Sequence, residues 1–216
     1  IIGADDVTND AMLPWIGSGF LAAGAATTKD RIEEAALPFD KRRHGMILGM
    51  GAVGLVLETK ESIDARGLKP IARLLASHIG NSAFHGTRLL PDDIANEMAN
   101  LVGRAAQKAN VSTSEMAKNA VFVSHETYTP AKGGSAAAEI ESLRRAFGDA
   151  ASQVVIANTK GFTGHAMGAG IEDVLAVKTL QFRQVPPIPN LKEPDPELGD
   201  LHLSKGGGFS GKYAIR

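Results

Sequence analysis

The sequence predicts an α/β fold with a mostly parallel central sheet. Two short apolar runs, residues 120–124 and 153–158, are bounded by polar residues, the pattern of strands buried on both faces. Each is followed by a stretch of helical periodicity, residues 135–147 and 171–182. Strand, helix, strand, helix in that order fits a layered sheet rather than a sandwich or a bundle. The chain of 216 residues is 44% apolar, enough to bury about 70% of its unfolded surface.

The remaining elements follow in chain order. Residues 46–57 form the longest nearly uncharged apolar stretch, punctuated by Gly49, Gly51 and Gly54, and predict a kinked, buried strand. The stretch is too short to cross a bilayer, which needs about 20 residues. Residues 61–66 predict a short helix closed by Gly67, and residues 70–78 a further strand. Pro91-Asp92-Asp93 places acidic residues where a helix N-terminus favours them. Ile94, Met98, Leu101, Val102 and Ala105 then line one face of a helix ending near Asn110, a face that reads as core. Within 135–147 the inward residues are Ile140, Leu143 and Phe147; within 171–182 they are Ile171, Val174, Leu175 and Phe182. Pro186, Pro187 and Pro189 force an extended connection. Residues 201–204 and 212–215 predict closing strands, and Gly206-Gly207-Gly208-Phe209 between them a turn.

Composition excludes several functions. With 23 Lys plus Arg against 24 Asp plus Glu, the chain has no broad basic footprint for nucleic acid or an anionic membrane. Zero cysteine removes disulfides, thiolate metal sites and any thiol nucleophile supplied by these residues. No positively charged segment precedes an apolar run as in a secretory signal, so a cytoplasmic location is expected. The opening Ile1-Ile2-Gly3 and the close soon after residues 212–215 read as the edges of a piece cut from a longer polypeptide.

In an open α/β sheet, ligands bind beyond the carboxyl ends of the strands, where loops and helix N-termini converge. The first buried run ends in His125-Glu126-Thr127-Tyr128-Thr129-Pro130, the second in Asn158-Thr159-Lys160-Gly161-Phe162-Thr163-Gly164-His165. Two histidines and a lysine are thereby placed to share one pocket. Neutral imidazoles can donate hydrogen bonds to a developing oxyanion, and a nearby ammonium keeps them neutral and adds positive potential. That suits carbonyl and enolate chemistry.

Two rival readings exist. The six histidines, at 44, 78, 85, 125, 165 and 202, show no close His-His or His-carboxylate spacing of the HExxH kind, which argues against metal. The glycines at 164, 168 and 170 have the GxxxGxG spacing of a dinucleotide phosphate loop, but they lie several residues beyond the strand instead of following it at once. Their ordinary role is close helix packing and a tight turn.

Four ordered segments resemble the β-ketoacyl synthases of fatty acid and polyketide synthesis, a family with the thiolase-like layered αβαβα architecture. HETYTP at 125–130 is similar to the family's HGTGTP, and TKGFTGH at 159–165 to its (V/T)KSxxGH. PFDKRRHGMILGMGAVGLVLE at 38–58 resembles PFDxxRxGFVxGEGAGxLVLE, and PPIPNL at 186–191 resembles the P.t.NL turn. The resemblance covers nearly all of the chain and implies mostly the C-terminal lobe, residues 69–216, preceded by the end of the N-terminal lobe, residues 1–68.

What the resemblance implies is decarboxylative Claisen condensation of an acyl thioester with malonyl-acyl carrier protein. By motif position His125 and His165 are the pair that binds the malonyl thioester carbonyl, and Lys160 is the lysine that orders them. Thr127 and Thr129 match threonines near the phosphopantetheine arm. Glu139 falls where the family has a structural glutamate near the lysine. Asp40 and Arg43 match the common pattern and read as a buried structural ion pair. The family is dimeric, docks acyl carrier protein and needs no dissociable cofactor and no metal.

The departures from the family pattern are specific. The nucleophilic cysteine precedes the ALAGGxD strand that Ile1-Ile2-Gly3-Ala4-Asp5-Asp6 resembles, and the phenylalanine-glycine loop follows a strand like 212–215; neither is among these residues. The chain by itself is therefore expected to be inactive. Glu126 and Tyr128 replace two small glycines and are expected to narrow or reshape the pocket. Met50 stands where the family usually has Glu, and a three-residue expansion around Gly133-Gly134-Ser135 separates Pro130 from Glu139. A catalytically silent module, acting as a chain-length or carrier-protein-binding partner, would carry the same motifs.

Overall fold

The computed structural model describes residues 1–84, 89–129 and 134–216. His85, Pro130 and Gly133, which enter the readings above, lie outside the described residues. The chain begins with β1 (Ile2–Asp5), α1 (Met12–Ala22) and α2 (Ile32–Ala35), then β2 (Gly51–Gly54), which pairs antiparallel with β1 so that Ile2 faces Gly54. The 46–57 stretch is extended as expected but not uniformly buried. Met46 is inside, whereas Val56 and Leu57 are exposed, because only the first half packs under the rest of the molecule.

Next come α3 (Lys60–Ala65), capped by the Thr59 hydroxyl accepting from Ser62 N, and α4 (Pro91–Ala109). The α4 boundaries follow from its caps. Pro91 opens the helix without leaving an orphaned donor, Asp92 and Asp93 meet the positive end of its dipole, and Asn110 ends it in the left-handed conformation. Its buried face is Ala95, Val102 and Ala106, with Met98 and Ala105 packed at the edge. Residues 70–78 form no strand. Their apolar side chains do not compensate for a missing ladder partner, and Ile71 and Leu74 stay exposed.

The core is a three-stranded parallel sheet. After α5 (Thr113–Lys118), β3 (Ala120–Val123) is flanked by β4 (Val155–Ala157) and β7 (Tyr213–Ile215), in the order β4-β3-β7. All four residues of β3 are buried, as a central strand covered on both faces requires. One face is covered by α4 and α6 (Ser135–Phe147), whose Ile140, Leu143 and Phe147 point inward as the spacing predicts. The other face packs against Leu175, Ala176 and Leu180 of α8 (Ile171–Phe182).

On α8 the buried side chains are Glu172, Ala176 and Thr179, and Phe182 is exposed, contrary to the expected face. The helix is apolar around most of its girth, so periodicity does not fix its rotation. Between β4 and α8 lies the short α7 (Lys160–Thr163). Finally β5 (Gln184–Pro187) pairs antiparallel with β6 (Lys205–Gly208). The glycines 206–208 are therefore strand, not turn. An exposed edge tolerates them because the ladder, not the side chains, holds it.

The first segment presents much of its apolar surface to solvent. Helix α1 has no buried residue, and Met12, Leu13, Trp15 and Leu21 are exposed alongside Ile1 and Ile2. Among the described residues no helix is long and apolar enough to cross a membrane.

Candidate active site

Because β3 and β4 run parallel, the loops after them emerge at the same end of the sheet, and this brings His125 and Lys160 together. His165 arrives by a second route. After α7 the chain turns at Gly164 and pairs with Leu48 in a parallel bridge: His165 N donates to Ile47 O at 2.7 Å and Gly49 N to His165 O at 3.1 Å. Gly49 and Gly164 permit this approach. Gly164 has φ +67° with its Cβ position against Leu48 O, and a Cβ on Gly49 would overlap Thr163 O. The glycine run is thus a packing and turning device.

The imidazoles of His125 and His165 meet edge to face with centroids 5.0 Å apart. Burial draws both pKa values down, to about 3 for His125 and about 4 for His165, and the Lys160 and Arg216 charges push in the same direction. Both rings are neutral at physiological pH. His165 Nδ1 is buried with no hydrogen-bond partner among the described residues. An unpaired lone pair costs less there than an unpaired N–H, which assigns the proton to Nε2 as a donor.

Lys160 is buried, and its ammonium is in contact with Glu172 from the first turn of α8, itself 3% exposed. Desolvation and the Arg216 charge lower the Lys160 pKa to about 8, so the ammonium is retained at neutral pH. Glu139 has a different task. Its carboxylate accepts from Ser124 Oγ at 2.5 Å and from His125 N at 2.6 Å, fixing the backbone from which the imidazole projects. Asn158 braces the same loop. It donates to Glu126 O at 2.8 Å, and its carbonyl oxygen accepts from Lys160 N at 2.9 Å.

The two departures from glycine are both fully buried. Tyr128 adopts φ +47°, the left-handed region that glycine normally fills. Its hydroxyl donates to Lys160 O and accepts from Ile47 N, each at 3.3 Å, while its carbonyl accepts from Gly45 N at 3.0 Å. Tyr128 therefore ties the His125 loop to the segments that carry Lys160 and align His165. Glu126 has no hydrogen-bond partner on either carboxylate oxygen among the described residues; the Arg43 Nε lies 3.8 Å away. Burial, followed by repulsion from Glu139, raises its pKa to about 8, with Arg43 opposing.

Asp40 and Arg43 do not pair as expected. Asp40 takes the guanidinium of Arg42 on both oxygens at 2.7 Å and backbone N–H bonds from Lys192 and Glu193 at 3.0 Å. Against the cost of burial these contacts hold its carboxyl well below the usual range. Arg43 turns instead to Asp195 at 2.5 Å and reaches only the backbone carbonyl of Asp40. Thr127 is 7% exposed, with its hydroxyl against Ser135 Oγ at 3.4 Å, and Thr129 is half-buried.

The pKa values imply a definite pH profile for stability. Below their ordinary 6.5, the histidines bind protons only when unfolded, so stability rises with pH up to that point. Glu126, at about 8, and Glu139, raised by burial to about 7, bind protons only when folded above their ordinary 4.5, so there stability falls with pH. The two trends oppose each other between 4.5 and 6.5. Urea midpoints are expected to be flat in that window, to fall below it while the imidazoles are charged only in the unfolded chain, and to fall above it toward about pH 8 as the carboxyls ionise. From about 8 to its ordinary 10.5, the depressed Lys160 acts in the stabilising direction as pH rises. Glu126→Gln should remove much of the decline above 6.5.

Residues 71–192 match the family described as beta-ketoacyl synthase, C-terminal domain. The chain belongs to the β-ketoacyl synthase family. It is 36% identical over 190 residues to 3-oxoacyl-[acyl-carrier-protein] synthase 2 of Vibrio harveyi, covering 86% of this chain and 44% of the relative. It is 32% identical over 189 residues to the Staphylococcus aureus enzyme of the same name, with 86% and 43% covered. Among solved structures, a β-ketoacyl synthase from Burkholderia phymatum superposes with a TM-score of 0.80 at 26% identity, over 97% of this chain and 48% of that one. A type II polyketide ketosynthase, in complex with its acyl-carrier protein and bound to the hexaketide, superposes at 0.79 with 28% identity, covering 93% and 48%. The α/β thiolase-like expectation is met, and the chain spans about half the length of the relatives it matches.

Sequence reasoning missed Glu172, Asn158, Ser124 and Arg216. No local signal marked Glu172: α8 is apolar on nearly every side, and only the folded chain turns the face of residues 172, 176 and 179 inward.

Proposed function

We propose that this chain supplies the enolate-stabilising part of a β-ketoacyl synthase active site, an acyltransferase that condenses an acyl thioester with malonyl-acyl carrier protein. The observation that carries the reading is the pair of neutral imidazoles 5.0 Å apart beside the buried Lys160–Glu172 pair. Loss of carbon dioxide leaves the electron pair of the broken C–C bond in an enolate. Two fixed N–H donors meet its oxygen without waiting for water to reorient. Lys160 adds positive potential and disfavours protonation of either ring, and Glu139 with Ser124 fixes the backbone at His125.

The thiol that holds the acyl group comes from a segment other than these residues, which contain no cysteine. In this reading residues 1–68 complete the N-terminal lobe and 69–216 form the C-terminal lobe. Thr127 and Thr129 contact the phosphopantetheine arm, which brings the substrates so that no dissociable cofactor is needed. The complete enzyme is a cytoplasmic homodimer that docks acyl carrier protein. The test joins this chain to the cysteine-bearing first half of a relative such as the Vibrio harveyi synthase. Release of carbon dioxide from malonyl-acyl carrier protein and formation of a β-ketoacyl product are the expected results. A well-folded fusion that accepts the acyl group on its cysteine but releases no carbon dioxide would establish the silent module instead.

A further inference from the structure

The two imidazoles sit on loops distant in the chain, so their separation depends on whatever joins those loops. Tyr128 lies three residues after His125, and its hydroxyl sits between Lys160 O and Ile47 N, 3.3 Å from each. Both partners also hold the turn that presents His165. Lys160 O accepts from Gly164 N at 2.8 Å, and Ile47, bonded to the hydroxyl through its N–H, accepts from His165 N through its carbonyl at 2.7 Å. The hydroxyl thus grips the His165 turn from two sides while its own backbone belongs to the His125 loop. The root of the side chain is fixed by Gly45 N, which donates to Tyr128 O at 3.0 Å, and the ring is fully enclosed against Ala36 and Met46.

At φ +47° this tyrosine carries a backbone cost that glycine would not, and such a conformation persists only where the surroundings compensate for it. Packing alone does not need the hydroxyl, since phenylalanine would fill the same space. Burial pushes the phenol up to about 12, so the O–H stays intact as a donor at neutral pH. We propose that Tyr128 is a positioning residue whose hydroxyl sets the separation of the His125 and His165 imidazoles, and with it the rate of decarboxylation rather than the affinity for substrate. The claim about rate rests on the enolate-site reading above; the claim about ring geometry does not. Donors held at a fixed spacing meet a developing oxyanion without reorganising, so a loosened pair lowers the rate of the step that forms it.

The test begins with NMR of the unaltered 216-residue chain, which needs no variant. The Tyr128 hydroxyl proton should exchange slowly with water and show a nuclear Overhauser contact to the Ile47 amide, and the two imidazoles should show one to each other. Tyr128→Phe should keep the fold and lose the contact between the imidazoles. In the fusion that restores a cysteine, the same substitution should lower kcat for carbon dioxide release about 10-fold, with KM and acyl transfer to the thiol unchanged. A role in packing alone predicts parental rings and parental kcat. A hydroxyl that exchanges freely in the unaltered chain overturns the proposal, and so does a folded Tyr128→Phe that keeps the ring contact or loses it at parental kcat. If Tyr128→Phe separates the rings but the unaltered fusion releases no carbon dioxide, the enolate reading falls and the control of ring geometry by Tyr128 stands.

Discussion

Alanine at either His125 or His165 lowers carbon dioxide release from malonyl-acyl carrier protein by about 10²- to 10³-fold per site, the cost of removing one preorganised donor from a developing oxyanion. The measurement belongs in the fusion that restores a cysteine, and it separates two steps. Transfer of an acyl group to the thiol needs no enolate, so it should continue in both variants while decarboxylation collapses. The double variant should lose less than the product of the two single losses, because the rings meet at 5.0 Å and serve one oxygen. If both single variants release carbon dioxide at near the parental rate, the histidines are not the oxyanion donors.

The second large effect is on folding. Glu172→Gln should destabilise the chain by about 3–5 kcal/mol, the range for removing one member of a buried ion pair and leaving the other charged and unpaired. Lys160 is almost fully enclosed, and the next carboxylates that act on it, Glu139 and Glu126, already have raised pKa values. The loss is read from urea unfolding at pH 6, inside the flat part of the pH profile. Lys160→Met should cost less than Glu172→Gln, because Arg216 still faces the carboxylate that remains. Equal losses would mean that the Arg216 contact contributes nothing to holding Glu172.

The parts legible in the sequence were those where one physical requirement dominates. Residues 120–124 had to be a strand covered on both faces, and the inward set of α6 was fixed by a clean split between apolar and charged positions. The histidines and the lysine could be placed because strand ends in a parallel sheet converge. What stayed hidden depends on choices between near-equivalent neighbours. Arg42 and Arg43 are adjacent and alike, and only the folded chain decides that the first takes Asp40 and the second Asp195. Helix α8 offers apolar residues on nearly every side, so nothing local indicated that Glu172 faces inward. The 205–208 strand is held by backbone bonds alone, and three successive glycines have no side-chain signal to reveal it.

Trp15 is the only tryptophan in the chain, and it lies 72% exposed on α1, which buries none of its residues. Its indole is already hydrated in the folded state, so its fluorescence changes little when the chain melts. Emission moves to shorter wavelength when another surface settles over that helix. The protein thus carries a built-in optical probe that reports assembly separately from folding, with no label attached.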